Sequence, residues 1–268
     1  MSRLADAHAH LAMAVFQEDL DAVMARAWDG GVRTIVTCAT SWSDMDAQVS
    51  LARAHGGRGL RGAVGIHPHQ ASQWSDGGAA RLAGFVEAHT EIVAIGEVGL
   101  DYHYSRSPHE AQREALRAQI GVARSTGLPL VIHCRAARQD LAAILEEERV
   151  SEVGGMLHCF SEDAPFARRC LDLGLHVSFS GIVTFKKADE IRDAARLVPL
   201  DRLLVETDAP YLAPEPRRGG RNEPARVADV ARALAAFRGE PYERLAEATA
   251  ANAERLFAGR PSAGKKCS

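Results

Sequence analysis

Asp6-Ala7-His8-Ala9-His10 lies in an apolar run, Leu4 to Leu11, that predicts a first β-strand. Side chains alternate between the two faces of a strand, so His8 and His10 share one face, with Asp6 behind them. Two imidazoles side by side on a rigid backbone form half of a metal site, and Asp6 is then placed to orient one imidazole. The histidine pair alone is explained equally well as two polar residues near a chain start. Whether it binds metal therefore depends on what the other strands contribute.

Composition and charge narrow the class of protein. The chain has 268 residues, of which 46% are hydrophobic and 25% charged, as is typical of a globular protein. The net charge of −3 excludes a broad basic surface that wraps duplex nucleic acid, but it allows a small site for one strand end. The five cysteines form no CxxC pair and predict reduced thiols in a cytoplasmic protein. No apolar stretch is long enough to predict a membrane span.

Strand and helix patterns alternate along the chain. Polar residues end the eight predicted strands: His10, Cys38, His67, Glu97, His133, His158, Ser180 and Asp208. Neighbours in this series lie 22 to 36 residues apart, the size of one βα unit. Eight such units favour a single-domain α/β fold, the (β/α)8 TIM barrel, over an open doubly wound sheet. We predict this barrel over residues 1–258 and a flexible C-terminal tail over 259–268.

Ionisable residues are concentrated at the carboxyl ends of the predicted strands. In a barrel these ends form one rim, where the active sites of such enzymes lie. Each residue alone has a structural explanation, but their joint occurrence on one rim favours a metal site. The predicted ligands are four histidines and two carboxylates: His8, His10, Glu97, His133, His158 and Asp208.

Six ligands are too many for one zinc ion with an open position, and they suit a pair of ions bridged by a carboxylate. Glu97 is the predicted bridge, because strand 4 lies between the two groups of ligands. The first ion would take His8, His10, Glu97 and Asp208, and the second would take Glu97, His133 and His158. The expected cofactors are two divalent ions, Mg²⁺, Mn²⁺ or Zn²⁺, among which these ligands do not choose.

Two such ions with two carboxylates and a hydroxide leave a positive site. This charge suits an anionic substrate such as a phosphodiester, although the site can also polarise a carbonyl. Glu97 and Asp208 are the predicted catalytic residues: Glu97 bridges the ions that generate hydroxide, and Asp208 accepts the proton. Because only neutral histidines bind metal, activity should fail in acid.

Several segments resemble the TatD family of metal-dependent deoxyribonucleases, a branch of the amidohydrolase-like barrels. The matching segments are DAHAHL at 6–11, GIHPH at 65–69, GEVGLDY at 96–102, HCR at 133–135, HCFS at 158–161, SFSG at 178–181, ETDAPYLAP at 206–214 and RGGRNEP at 218–224. The resemblance implies the barrel, the two-metal site and hydrolysis of phosphodiester bonds in DNA, as a 3′-5′ exonuclease on single-stranded ends.

The resemblance also suggests residues that hold substrate. His67, Arg135 and, as a weaker candidate, His103 would contact phosphate. Arg221, on the glycine-rich loop after strand 8, is placed to meet a nucleic-acid backbone, although a solvated loop explains it almost as well. The expected partner is DNA, with no membrane association and a monomeric protein.

Two positions depart from the family pattern. Ala136 replaces the usual acidic residue after the His-x-Arg segment, and Glu162 replaces a glycine after HCFS. Glu162 adds negative charge near the rim, which disfavours a polyanionic substrate, so a second substrate class is considered. The alternative function is hydrolysis of an amide, ester or lactone, including deacylation of misacylated tRNA. A non-catalytic binding protein on the same barrel is the third hypothesis, which the intact ligand set disfavours.

Overall fold

The computed structural model describes residues 2–259. Eight parallel strands pair in chain order, each with the next, from β1 to β8. Their bounds are β1 Leu4–Ala9, β2 Val32–Cys38, β3 Leu60–Val64, β4 Ile92–Asp101, β5 Leu130–Arg135, β6 Gly155–Leu157, β7 His176–Phe179 and β8 Leu203–Val205. The predicted (β/α)8 barrel is therefore confirmed.

Helices follow the strands and pack on the outside of the sheet. They are α1 Leu20–Asp29, α2 Met45–His55, α3 Gly78–Ala88, α4 His109–Thr126, α5 Arg138–Glu147, α6 Ala164–Asp172, α7 Asp189–Leu197, α8 Val227–Arg238 and α9 Tyr242–Leu256. No helix in the described range is long and apolar enough to cross a membrane. The tail predicted over 259–268 lies outside the described residues, except for Gly259.

The barrel closes between β8 and β1 through side chains and a single bridge. Ala9 and Ala209 form this bridge, and Asp208 N donates to His8 O at 2.9 Å. Thr207 donates from its backbone N to Asp6 Oδ1 at 2.8 Å and from its hydroxyl to Asp6 Oδ2 at 2.5 Å. Asp6 was expected to orient an imidazole, but instead it joins the two strands that close the barrel.

Strands β6 and β8 end before their predicted polar end residues. β6 stops at Leu157, before His158, and β8 stops at Val205, before Asp208. Cys159 and Asp208 have φ angles of 46° and 57°, in the left-handed region, which is incompatible with an extended strand. The site residues at these two ends therefore lie on turns.

Buried amide side chains satisfy backbone groups near the rim. Gln119 of α4 accepts from Ile66 N at 2.7 Å and donates to Ile66 O at 3.1 Å. The same kind of contact is made by Gln48 with Cys38 O, by Gln112 with both backbone groups of Asp101, and by Asn222 with Thr207 O and Tyr211 O. These contacts hold the backbone where regular pairing ends, because a buried unpaired peptide group is costly.

Helix α9 covers the opposite end of the barrel. Asn252 donates to Leu200 O and Leu203 O at the start of β8, both at 2.8 Å. Ala250, Ala253 and Phe257 pack with a cluster of small strand residues that includes Ala5, Ala7, Val36 and Ala63. With this end closed, access to the barrel is from the rim.

Replacing Gln119 with alanine should destabilise the protein. The change leaves both backbone groups of Ile66 buried without partners, at a cost of about 2–4 kcal/mol in the free energy of unfolding. Denaturant unfolding measures this difference. Gln139→Ala, at an exposed position of α5, is the matched control and should change stability by less than about 0.5 kcal/mol. Equal effects of the two changes would contradict this role of Gln119.

Candidate metal centre

Glu97 lies at the centre of the rim, on β4, and is 2% exposed. The two glycines beside it allow β4 to approach β5 closely. A Cβ on Gly96 would lie 2.5 Å from Val131 Cβ, and one on Gly99 would lie 2.0 Å from His133 O. The GEVG segment therefore uses glycine for close strand packing around one buried carboxylate.

Three imidazoles surround one oxygen of this carboxylate, in what we term the Oε1 lobe. Glu97 Oε1 lies 2.8 Å from His158 Nε2, 2.9 Å from His133 Nδ1 and 3.3 Å from His67 Nε2. His133 Nδ1 and His158 Nε2 are 3.3 Å apart. Two ligands about 2.1 Å from one tetrahedral ion lie roughly 3.4 Å apart, so this spacing suits a shared ion.

The other oxygen faces a second group, the Oε2 lobe. Glu97 Oε2 lies 3.5 Å from Nε2 of both His8 and His10. Asp208 Oδ1 lies 3.6 Å from His8 Nε2 and 3.5 Å from His10 Nε2. All six residues predicted as ligands are thus brought together, and Glu97 lies between the two lobes as its predicted bridging position requires.

The charges of these groups are strongly coupled. Burial raises the pKa of Glu97, but the charges of His158 and His67 and the contacts of His133 lower it well below its usual range. Burial opposes protonation of His158, yet Glu97 and Glu206 raise its pKa well above the usual value. Any ion that binds here replaces protons as the positive partner of these carboxylates.

The contacts of the outer ring nitrogens favour metal binding by the inner ones. A neutral imidazole carries one N–H and one lone pair, so a donor bond on one nitrogen leaves the lone pair on the other. His158 Nδ1 lies 3.3 Å from Glu206 Oε1, His133 Nε2 lies 3.2 Å from Asp101 Oδ2, and His10 Nδ1 lies 3.2 Å from Cys38 O. Each of these acceptors fixes the proton on the outer nitrogen.

His8 follows the same pattern with a weaker partner. Its Nδ1 lies 3.3 Å from the sulfur of Cys38, which can accept a weak hydrogen bond. The lone pair of Nε2 then faces Asp208 and Glu97. Four lone pairs and two carboxylates therefore point into the two lobes, a donor set that divalent metal ions accept.

His67 has the opposite arrangement. Its outer Nδ1 accepts a hydrogen bond from His69 N at 3.0 Å, and burial lowers the pKa of His67 to about 4. The neutral ring therefore keeps its proton on Nε2, which faces Glu97. Although His67 lies within the cluster, its inner nitrogen is a donor, so it suits a substrate oxygen better than an ion.

Three residues that orient the imidazoles, Glu206, Asp101 and Cys38, were not assigned this role from the sequence. Glu206, fully buried, accepts from Cys159 N and from the hydroxyl of Ser178, both at 2.6 Å, and faces His158. Asp101 and Cys38 hold the other imidazoles. The segment Glu206-Thr207-Asp208 carried a signal, because residues two apart on an extended chain point the same way.

The other substrate candidates lie farther out. Arg135 is exposed, with its guanidinium carbon 4.8 Å from the centre of the Tyr104 ring. His103 is exposed and its ring lies 4.8 Å from that of Tyr104. Arg221 donates to both carboxylate oxygens of Asp19, at 2.8 and 2.6 Å, and so ties the loop after β8 to the segment after β1.

Both departures from the family pattern occur at one place beside the centre. Ala136 and Glu162 line the same surface cavity of about 270 Å³, together with Arg138 and Asp140. Burial raises the pKa of Glu162, and its carboxylate lies 3.9 Å from the Arg138 guanidinium. None of the six predicted ligands lines this cavity, so neither departure alters the two lobes.

Replacing Glu206 with glutamine should weaken metal binding. The neutral amide removes the charged acceptor that orients His158, and loss of such a partner typically costs about 10- to 100-fold in metal affinity. Calorimetric titration of metal-stripped protein measures the change. Glu223→Gln, which alters a surface partner of Arg26, is the control and should bind metal normally. Unchanged affinity in Glu206→Gln would reduce Glu206 to a packing role.

His67 and His133 should behave differently when each is replaced with alanine. His133→Ala removes an inner lone pair and should weaken binding of divalent ions by at least about 10-fold. His67→Ala removes only a donor and should leave metal affinity within about twofold, since its lone pair already serves the His69 amide. The same titration tests both variants, and equal losses would show that His67 is a ligand.

Comparison with known proteins identifies the family of the chain. The family model described as TatD-related DNase matches residues 5–258. An uncharacterized metal-dependent hydrolase, YcfH of Escherichia coli K12, is 42% identical over 259 residues, covering 95% of each chain. A protein of Erwinia tasmaniensis named 3′-5′ ssDNA/RNA exonuclease TatD is 37% identical over 257 residues, covering 94% of this chain and 98% of that protein.

A solved structure gives the same result for the fold. The TatD homologue YjjV of Escherichia coli K12 superposes with a TM-score of 0.89 and 31% identity, over 96% of this chain and 98% of that one. Sequence and structural similarity therefore extend over nearly the whole chain. The chain belongs to the family of TatD-related DNases and is a metal-dependent hydrolase.

Proposed function

We propose that this protein removes nucleotides from the 3′ end of single-stranded DNA, using two divalent ions. One ion would be held by His8, His10, Glu97 and Asp208, and the other by Glu97, His133 and His158. The observation that carries the proposal is the division of this donor set into two lobes on either side of one carboxylate. When bound, the ions supply Lewis acidity and lower the pKa of water, as phosphodiester hydrolysis requires.

Asp208 is placed to act as the proton acceptor. Burial raises its pKa, but the contacts of His10 and the charge of His8 lower it below the usual value. Asp208 is therefore a carboxylate at neutral pH, at the edge of the Oε2 lobe. In this position it orients the attacking water and accepts its proton.

The chain also supplies donors for a phosphate group. The Nε2–H of His67 points into the Oε1 lobe, where it can bind a non-bridging phosphate oxygen as negative charge develops. Arg135 has no carboxylate at ion-pair distance within residues 2–259, so its guanidinium is available to phosphate. His103 lies beside it on the rim and would make an outer contact. Arg221 acts through its ion pair with Asp19, by positioning the loop after β8.

The names of the relatives support a nucleic-acid substrate. The Erwinia protein is named an exonuclease on single-stranded DNA and RNA, whereas the Escherichia coli YcfH protein is named only as a metal-dependent hydrolase. The proposal extends the former activity to this chain. Hydrolysis of amides, esters or lactones, including misacylated tRNA, is the outcome that would replace it.

A labelled oligonucleotide tests the activity. Purified protein with Mg²⁺, Mn²⁺ or Zn²⁺ should release the terminal nucleotide from a 3′-labelled single strand, and a chelator should stop the release. Glu97→Ala should lower kcat/KM by at least about 100-fold, because the bridge that stabilises developing charge is lost. Circular dichroism should show that this variant remains folded.

Glu87→Ala, on the exposed face of α3, is the matched control and should cleave like the unchanged protein. A panel of small amides and lactones runs in parallel. Failure to release nucleotide with any of the three metals would overturn the proposed nuclease. Full turnover by Glu97→Ala would overturn the two-metal arrangement instead.

A further inference from the structure

The large apolar side chains that are exposed in residues 2–259 lie in loops on the rim. Among residues 2–259 the large apolar side chains that are exposed are Met13 at 37%, Val15 at 47%, Tyr104 at 50% and Tyr211 at 50%. They lie in the loops after β1, β4 and β8, on the rim. Apolar surface that is restricted to the edge of a site marks a place where a ligand packs.

Tyr211 lies beside the Oε2 lobe. Its ring centre is 6.1 Å from that of His10, with the planes at 70°, and its hydroxyl donates to Met13 Sδ at 3.6 Å. The backbone at this position is held by Asn222, which donates to Tyr211 O at 2.7 Å. Tyr211 is therefore held at its backbone and at its hydroxyl, while half of the residue is exposed.

Tyr104 occupies the corresponding place beside the Oε1 lobe. Its ring centre is 5.5 Å from that of His69, which lies 4.4 Å from His67. Tyr104 N donates to Asp101 Oδ1 at 2.8 Å, and the other oxygen of Asp101 faces His133. One buried carboxylate thus positions both this tyrosine and an imidazole of the centre.

Two arginines lie close to the aromatic ring of Tyr104. The guanidinium carbon of Arg135 lies 4.8 Å from the ring centre and that of Arg106 lies 5.6 Å from it. Neither has a carboxylate at ion-pair distance in the described part of the chain, whereas Arg138 and Arg221 pair with Asp163 and Asp19. Positive charge without an internal partner therefore accompanies this aromatic side chain, although the net charge of the chain is −3.

We propose that Tyr104 and Tyr211 form a two-sided clamp that stacks on the last two bases of a nucleic-acid strand, with Arg106 and Arg135 holding the backbone on the Tyr104 side. This inference rests on the proposed exonuclease function. The phosphate between the two bases would then lie over Glu97, between the lobes. Stacking needs an open base face but no particular base, so the clamp selects unpaired ends without reading sequence. A base that is paired and stacked in a duplex cannot fill it.

Abasic substrates separate stacking from a structural role. Tyr104→Leu and Tyr211→Leu keep an apolar side chain and remove the aromatic face. Each should lower kcat/KM on an intact 5′-labelled single strand by about 5- to 100-fold, the range seen when base–aromatic stacking is lost. An abasic nucleotide at the terminal or the penultimate position removes one of the two stacked bases. On that strand, the variant whose tyrosine would have contacted the missing base should show no further loss of kcat/KM. Tyr104→Phe and Tyr211→Phe should retain activity.

Tyr242→Leu is the matched control, because Tyr242 on α9 also lies under an arginine, Arg232 at 5.1 Å, but away from the rim. It should behave as the unchanged protein. If a leucine variant loses the same factor on intact and abasic strands, or loses nothing, the clamp is wrong.

Binding measurements separate this outcome from failure of the nuclease itself. Fluorescence anisotropy with the metal-loaded protein follows binding of the same strands carrying non-hydrolysable methylphosphonate linkages at the 3′ end. If the unchanged protein binds these strands but does not cleave the intact, hydrolysable strand, the nuclease is overturned, and the clamp is then judged from the loss of affinity in the same variants. Absence of binding by the unchanged protein would overturn the clamp.

Discussion

A negative charge buried within β4 is the constraint on which the rest of the centre depends. Glu97 is almost inaccessible to solvent, and an isolated carboxylate there would carry a large desolvation cost. Five imidazoles, from the ends of β1, β5 and β6 and from the loop after β3, meet it from both sides. Because these imidazoles compensate one buried carboxylate, residues from distant parts of the chain meet at one point.

The second determinant is the set of acceptors behind the histidines. Glu206, Asp101 and Cys38 each fix the proton of an outer ring nitrogen, so that the inner lone pairs point into the lobes. Only His67 carries its proton on the inner nitrogen, because its outer nitrogen accepts a hydrogen bond from a backbone amide. The outer contacts thus divide five similar histidines into four with an inner lone pair and one with an inner donor. The same contacts connect the centre to the rim, since Asp101 also holds Tyr104.

Irregular backbone is concentrated where the centre is assembled. Ser105, Ala136, Cys159, Asp208 and Leu212 all have positive φ and all lie in loops on the rim. Such conformations persist only where surrounding contacts hold them. Here the buried amides and the Asp6–Thr207 contacts provide that support at the ends of β4 and β8. On its turn, Cys159 faces Ser180, with the sulfur 3.3 Å from the hydroxyl.

The sequence by itself determined the barrel and the six residues of its centre. Both follow from local patterns, namely the alternation of strand and helix and the placement of His8, Glu97 or Asp208 where an apolar strand ends. Tertiary structure decided the proton positions, the inclusion of His67 in the cluster, the role of Glu206 and the engagement of Arg221 by Asp19. These depend on contacts between residues far apart in the chain: Glu206 and His158 are 48 positions apart, and Arg221 and Asp19 are 202 apart. A one-dimensional pattern places a residue on a strand end, but only folding chooses the atom that meets each of its nitrogens or oxygens.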